Sequence, residues 1–338
     1  MEDTHVSLAH GNGGRFMREL ITEVFKRHLA NPTLDTDADA VALALTPGFD
    51  IMFTTDSFTV QPLEFPGGNI GSLAVHGTVN DLAVSGATPR YLSLNAIIEE
   101  GLEIATLERI VISLADAARD AGVVIAAGDT KVVRRGEAAG LYLATAGIGL
   151  RQTGCLLGMT RIQVGDHVLV SGPVGDHGTA VLLAREEFGL RGDLASDSAC
   201  VLPITSCLLQ HAGADLHFMR DPTRGGVATV CHEIAHATGF GVRLAEPSIP
   251  IREPVRSVCE MLGYDPLFLA CEGRVVAVVA ANVAASALAA MRALPLGKDA
   301  ADIGSIVAAP HARVTLRTAI GGERVLEELE DDPLPRIC

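Results

Sequence analysis

In 71-GSLAVHGTVNDLAVSGA-87 an almost wholly apolar helical pattern stands between two short runs, 50-DIMFTTDSF-58 and 90-RYLSLNAIIEE-100, whose length and β-branched content read as strands. That strand, helix, strand order decides the fold class. It continues in 106-TLERIVISLADAARDAG-122, a helix with Thr106 placed to cap it and Gly122 to close it, and in the strands 122-GVVIAAGD-129 and 140-GLYLATAGIGL-150. After the punctuation at 151-RQTGCLLG-158 the pattern resumes with a strand at 166-DHVLVSG-172 and helices near 176–188, 201–212, 225–238 and 252–262. Strands follow near 274–280 and 313–319. The run 275-VVAVVAANVAASALAAM-291 divides into a buried strand and a helix capped by Asn282, because Asn282, Ser286 and the alanines argue against a membrane span. Interleaved strands and helices predict an α/β chain of the α+β type, each half a mixed sheet with helices packed on it.

At roughly 150 residues per domain, 338 residues predict two domains, placed at 1–153 and 154–320. From Gly321 the chain changes character: six acids, two arginines, Pro333 and Pro335 predict a flexible tail, 321–338, with a span of roughly 50 to 60 Å when extended. It ends on Cys338, an exposed thiol that a structural tail does not need.

With 41 acidic against 26 basic side chains, the net charge of -15 disfavours nucleic acid and anionic membranes as partners. Any phosphate must be received locally. Seven cysteines without a C-x-x-C pair suit neither a disulfide framework nor a zinc ribbon, and the start MEDTHVSLAHGNGG lacks the regions of a signal peptide. A reduced, cytoplasmic setting is the expectation.

Candidate chemistry begins at 10-HGNGG-14, where His10, Gly11, Gly13 and Gly14 precede a helical pattern and can bring backbone amides close to an anion; a plain N-terminal turn is the alternative. Asp56 and Asp129 follow apolar strand runs, and Asp81 lies beside Asn80 inside an apolar helix. A carboxylate so placed is paired in a salt bridge or assembled with others around a hard cation. Three of them in one half, with Thr130 and Lys131 directly after Asp129, point to Mg²⁺ and a nucleotide phosphate. In the second half, 220-RDPTRGG-226 offers Asp221 and Arg224 before a helix, with capping by Asp221 or Thr223 as the plainer alternative. Glu272 sits beside Gly273 ahead of a strand, where a solvated loop acid is the plain reading. Residues 232-HEIAH-236 match H-E-x-x-H, which opens a zinc-hydrolase reading through His232 and His236. The longer zinc-protease pattern fails at Val242, and a helix with partly exposed histidines is the simpler account.

HGNGG, TTDSF, FPGGNIG, NDLAVSGATPRYLS, EEGL, GDTKVV, SGPVGDHG, RDPTRGG, PLGKDA and PRIC occur in the order seen in the HypE family of hydrogenase-maturation proteins, which the chain resembles from about Leu8 to Cys338. Asn12 is a departure, standing where a smaller residue is expected. The resemblance implies a PurM-like two-domain fold in which the N-terminal sheets of two subunits pair across a homodimer to form a barrel. It implies ATP and Mg²⁺ as cofactors, with Asp56, Asp81 and Asp129 as metal and phosphate contacts and Lys131 offsetting phosphate charge. Thr130, His10 to Gly14, Asp221 and Arg224 would lie at the nucleotide. The implied activity is a carbamoyl dehydratase: Cys338 carries a carbamoyl group, ATP activates its oxygen, and Glu272 acts as base, so that S-carboxamide becomes S-cyanide for a [NiFe]-hydrogenase iron centre. The implied partners are a HypF-type carbamoyltransferase as donor and the HypC and HypD pair as acceptor. Cys271 is placed to compete for acylation unless it is buried. The rival readings are another PurM-like ATP-dependent phosphoryl-transfer enzyme, the zinc hydrolase, and an adaptor whose tail binds partners.

Overall fold

Asn69 starts the helix around which both halves of the molecule pack. In the computed structural model, which describes residues 14–20, 22, 41–185, 192–308 and 311–329, its side-chain oxygen accepts the N–H of Gly71 at 2.9 Å and of Ser72 at 3.1 Å. Ser72 Oγ accepts the Asn69 N–H in return at 3.2 Å. This reciprocal cap satisfies the orphan donors of the first turn.

In chain order the first half runs α1 (Arg15–Leu20), β1 (Val41–Thr46), β2 (Phe49–Phe58), β3 (Glu64–Phe65), β4 (Gly68–Asn69), α2 (Ile70–Val84), β5 (Thr88–Glu99), α3 (Ile104–Asp120), β6 (Val124–Val133) and β7 (Leu141–Gln152). The main sheet has the order β1-β2-β7-β5-β6, antiparallel except for the β5–β6 pair. Burial alternates along β7, with Leu141, Leu143 and Thr145 inside, so one face is packed and the other open. Helices α2 and α3 cover the packed face. Helix α2 is buried nearly all round, and Gly77 is where the Phe58 ring closes on it: a Cβ there would sit 2.8 Å from the ring. Helix α3 keeps its apolar stripe, Ile110, Leu114, Ala117 and Ala118, against the core.

The second half runs β8 (His167–Val170), α4 (Asp176–Ala184), α5 (Leu202–Ala212), β9 (Leu216–Arg220), α6 (Gly226–Thr238), β10 (Gly241–Ala245), α7 (Glu253–Leu262), β11 (Val276–Val279), α8 (Ala284–Arg292), β12 (Ala301–Val307), β13 (Val314–Arg317) and β14 (Glu323–Val325). Its seven-stranded sheet has the order β14-β13-β10-β12-β8-β11-β9. Alternate residues of β8 and β11 enter two different cores: Val168, Val170, Val276 and Val278 face α6, and Leu169, Ala277 and Val279 face α5 and α8. The halves also share apolar clusters. One joins Phe58, Ile70 and Leu73 to Val181, Leu182, Val255 and Leu269, and another places Ala83 and Val84 of α2 with Ile204 and Leu208 of α5.

Three local expectations are corrected. Thr106 does not cap α3; the cap position is Glu103, which makes no side-chain capping bond, and Thr106 Oγ1 accepts from Arg109 Nη2 at 3.1 Å inside the helix. Asn282 does not cap α8, because its amide donates to Asp215 Oδ2 at 3.1 Å and Val283 takes the cap position. The segment after Gly321 is not wholly a loose tail. Glu323–Val325 pairs antiparallel with β13, Leu326 is 1 % exposed in the core, and Arg243–Glu323 and Arg324–Asp265 ion pairs flank them. The strand pairing and one buried leucine outweigh the acidic composition that predicted solvation.

Candidate functional site

The packed face of the first sheet carries Asp56 on β2, two residues beyond Thr54. Thr54 Oγ1 donates to Asp81 Oδ2 at 2.9 Å, which ties the last turn of α2 to the strand and orients the Asp81 carboxylate. Its neighbour Asn80 is a joint between the halves: its amide donates to the carbonyls of Ala199 at 3.0 Å and Glu272 at 3.1 Å, and its oxygen accepts the Val201 N–H at 2.9 Å. The strand–helix pattern of the first half thus sets the backbone position of an acid in the second.

Glu272 is 2 % exposed, so the solvated-loop reading is excluded. Its backbone is held from three sides. Its N–H donates to Asp197 Oδ1 at 3.1 Å, its carbonyl faces Asn80, and the preceding Cys271 N–H donates to Pro222 O at 3.0 Å. The Arg-Asp-Pro-Thr-Arg-Gly-Gly turn lies directly against it. Gly225 and Gly226 have φ of 69° and 59°, the left-handed region that glycine adopts without strain, and a Cβ on Gly226 would lie 2.5 Å from Leu267 O. Gly225 occupies the α6 cap position without a side-chain bond, so neither Asp221 nor Thr223 caps that helix.

Charge defines this region. Burial is the main cause that pushes the Glu272 carboxyl well above the usual carboxylate range, with Asp221, Asp56 and Asp197 adding to it and Arg224 opposing it. Burial likewise raises Asp56, opposed by the Ser57 N–H, which donates to it at 2.7 Å, and by Arg224. Acids from β2, the 220–226 turn and the 269–275 segment therefore share one field, with Arg224 as a cation inside it. Such a group of desolvated, mutually repelling carboxylates is suited to holding a cation and moving protons.

A second group adjoins the first through Asp197. Arg274 pairs with Asp197 at 3.3 Å and with Asp176 at 3.6 Å, and Arg252 pairs with Asp176 at 2.9 Å. Burial and Asp197 raise Asp176 to about 6 against the pull of the two arginines. These residues line an open cleft of about 500 Å³ with Ser196 and Ser198. Serine hydroxyls on this rim meet two imidazoles: His76 Nδ1 lies 3.0 Å from Ser198 Oγ, and His177 Nδ1 lies 2.8 Å from Ser196 Oγ. The sequence reading missed Asn80 as a joint and missed Asp176, His177, Asp197, Arg252 and Arg274; only the Gly-Asp-His-Gly run around 176–177 signalled any of them.

Asp56, Asp221, Arg224 and Glu272 share one field, with Asp81 tied beside Asp56 through Thr54, but Asp129 and Lys131 are not brought to them within one chain. Asp56 lies in the cross-strand row Asp56, Thr145, Leu94, Gly128 on the packed face, whereas Asp129 lies in the row Ser57, Ala144, Asn95, Asp129 on the open face. Strand spacing alone separates β2 from β6 by about 14 Å. Lys131 shares the open face with Asp129 and is exposed; the Thr130 side chain lies outside the described residues. So do His10, Gly11, Gly13 and Cys338. Gly14 is buried against the Leu329 carbonyl. Cys271 is buried, accepts the Gly175 N–H at 3.2 Å and has its thiol pushed far up by burial, so it does not compete as a nucleophile. In H-E-x-x-H hydrolases the glutamate serves the metal-bound water, but Glu233 here pairs with Arg220 at 3.5 Å, and the hydrolase reading loses its base.

Family profiles match both halves: "AIR synthase related protein, N-terminal domain" over residues 37–151 and "AIR synthase related protein, C-terminal domain" over residues 163–317. The chain is 48% identical over 333 residues to carbamoyl dehydratase HypE of Bradyrhizobium diazoefficiens, covering 98% of this chain and 96% of that protein. Among solved structures, a HypE–HypF complex superposes with a TM-score of 0.86 at 44% identity over 92% of this chain and 99% of the other. A HypE bound to ATP superposes with a TM-score of 0.82 at 44% identity over 99% of this chain and 100% of the other.

Proposed function

The chain belongs to the HypE family of carbamoyl dehydratases, and on that premise we propose that it uses ATP to dehydrate a carbamoyl group carried on Cys338, supplying cyanide for a [NiFe]-hydrogenase iron centre. The observation that carries the reading is Glu272, an acid buried at the seam of the halves within the field of Asp56, Asp221 and Arg224.

The thiol carries its load as S–C(=O)–NH₂. Transfer of the ATP γ-phosphoryl group to the carbamoyl oxygen, with loss of one nitrogen proton, gives S–C(=NH)–O–phosphate. Loss of the second nitrogen proton as phosphate departs gives S–C≡N, ADP and phosphate. Glu272 is the proposed acceptor of these protons, because a carboxylate whose pKa is raised by burial is a stronger base than a solvated one. Arg224 sits where phosphate charge is to be offset. Nine residue steps lead from Leu329 to Cys338, a reach of at most about 30 Å.

Asp56 and Asp81 fit Mg²⁺, since both offer carboxylate oxygens on one face and the Asp56 carboxyl, raised by burial, gains from a nearby cation. When bound, the ion neutralises charge on the transferred phosphoryl group. Asp129, Thr130 and Lys131 join a nucleotide site only where a second copy closes against the open face of the sheet. That face exposes Phe53, Tyr91, Ile97 and Ile148, which supports the proposed homodimer and its paired-sheet barrel. His10, Gly11, Gly13 and Gly14 are proposed to cover the nucleotide. A HypF-type carbamoyltransferase is the proposed donor, in keeping with the solved HypE–HypF complex. The HypC and HypD pair is the proposed acceptor, and a reducing cytoplasm, where a free carrier thiol persists, is the proposed setting.

The test is the mass of the C-terminal peptide after incubation with the carbamoyl donor, with and without Mg-ATP. A Cys338 adduct that loses one water only with ATP is the expected result, and Glu272→Gln should form the adduct but dehydrate it about 10² to 10⁴ times more slowly. An adduct on another residue, or dehydration unaffected by Glu272→Gln, would sink the assignment.

A further inference from the structure

The HEIAH pair is left without a role by the reading above, and the fold completes it with a third ligand from a distant part of the chain. His232 and His236 lie one turn apart on α6, and Glu328, three residues beyond β14, reaches the same point. Their donor atoms all lie within 4.8 Å of one another, with His236 Nε2 3.3 Å from Glu328 Oε2.

His232 is 7 % exposed, and its Nε2 has no hydrogen-bond partner. Its ring is hydrogen-bonded by the backbone of Leu326 and Glu327. By elimination that bond belongs to Nδ1, which fixes the tautomer and leaves the Nε2 lone pair facing the cluster. A backbone bond on one imidazole nitrogen with the other kept for an ion is how metal-binding histidines are oriented. A buried polar atom left unpaired is uncommon enough to require a reason.

We propose that His232, His236 and Glu328 form a binding site for a first-row divalent ion of the Zn²⁺ class, which fastens the segment after β14 onto α6. Two imidazoles and one carboxylate, with water in a fourth position, suit Zn²⁺ at bonds of about 2.0 to 2.2 Å. A tetrahedron of that size holds its donors about 3.3 to 3.5 Å apart, so the 3.3 Å pair already has the required spacing. The exposed His236 ring is free of the core and closes the remaining gap by turning. Arg18 of α1 pairs with the other oxygen of Glu328, which orients the carboxylate and brings a third segment to the site. The Arg15 N–H donates to Leu329 O at 3.3 Å beside it. The site is structural rather than hydrolytic, since Glu233 is engaged by Arg220. Its occupancy fixes the chain ten residues before Cys338.

The test titrates full-length, chelator-stripped protein with Co²⁺ and then competes with Zn²⁺. One equivalent per chain is expected, with the visible bands of four-coordinate nitrogen and oxygen ligation and no thiolate charge-transfer band. His236→Ala and Glu328→Gln, both away from the core of α6, should each weaken binding at least about tenfold with an unchanged circular dichroism spectrum. Zn²⁺ should also slow amide hydrogen exchange over 323–329 in the parent protein only. Binding of equal strength in both variants, or a thiolate band that marks a cysteine site, would overturn the proposal.

Discussion

The two sheets differ in how much of themselves they cover. The seven-stranded sheet is enclosed on both faces, and its central strands β8 and β11 are buried almost without a break. The five-stranded sheet is covered by α2 and α3 on one face only, and on the other it leaves Phe49, Phe53, Tyr91, Ile97 and Ile148 to solvent. One half is finished within the chain. The other presents an apolar face larger than scattered exposed side chains account for, the face proposed above to close against a second copy. The proposed chemistry is divided in the same way: Glu272, Asp221 and Arg224 come from the finished half, and Asp56 and Asp81 come from the unfinished one.

A pair of substitutions breaks this comparison most directly. Val278→Asp places a charge without a partner in the enclosed sheet, where Val278 is 0 % exposed, and should cost more than about 4 kcal/mol and prevent folding. Ile148→Asp, on the open face, should leave the fold intact and shift the protein from dimer to monomer in light scattering. If Ile148→Asp unfolds the chain as Val278→Asp does, the open face belongs to the core of a single chain and the distinction between the sheets is lost.

The seam between the halves sharpens the comparison at lower cost. Asn80→Ala leaves the carbonyls of Ala199 and Glu272 and the Val201 N–H without their partner. Glu272 O keeps a long bond from the Ala199 N–H at 3.5 Å; each group left unpaired costs about 1 to 3 kcal/mol, less what water recovers, so a loss of about 2 to 4 kcal/mol in denaturant unfolding is expected. Turnover should fall with it, because the same amide positions Glu272. A stable variant with unchanged turnover would show that the apolar clusters alone hold the halves in register.

Four of the five strands of the unfinished sheet, all but β1, were legible because a sheet with one solvated face writes a period of two into the chain, as 141–150 does. β9, β10 and β12 escaped the sequence reading because Arg220, Arg243 and Asp302 stand in them, which a buried-strand pattern does not predict. Asp56, Asp81, Asp221, Arg224 and Glu272 were visible as charges in apolar or glycine-rich surroundings. The side on which Asp129 stands was not. The register of β6 shifts opposite Leu92 and Ser93, and a one-residue irregularity changes the face of every residue after it. The salt bridges joining Asp176 to Arg252 and Arg274, and Asp197 to Arg274, bring together four separate segments, so no local spacing announces them. The acidic tail misled because composition reports average solvation, whereas one leucine and three paired residues decided where its first part went.

The smallest expected effect tests the seam through pH. His76 projects from α2 toward Ser198, and burial lowers its imidazole to about 4 from 6.5, against a weaker opposing pull from Asp120. The folded pKa lies below the unfolded one, so the unfolded chain binds the proton first as pH falls. Stability is therefore full above pH 6.5, declines as the pH drops from 6.5 toward 4, and loses nothing further to this group below that. The loss at the acid end is up to about 3 kcal/mol. His232, also lowered to about 4, adds its own decline over the same window, so the measurement must be differential. His76→Gln keeps a polar group near Ser198 but cannot take the proton. Its unfolding midpoint, followed from pH 7 to pH 4, should fall less steeply than that of the parent, with the two curves closest at pH 7. Parallel curves would mean that His76 gains its proton without leaving its place against Ser198, and that the segment joining the finished half to α2 yields to charge at little cost.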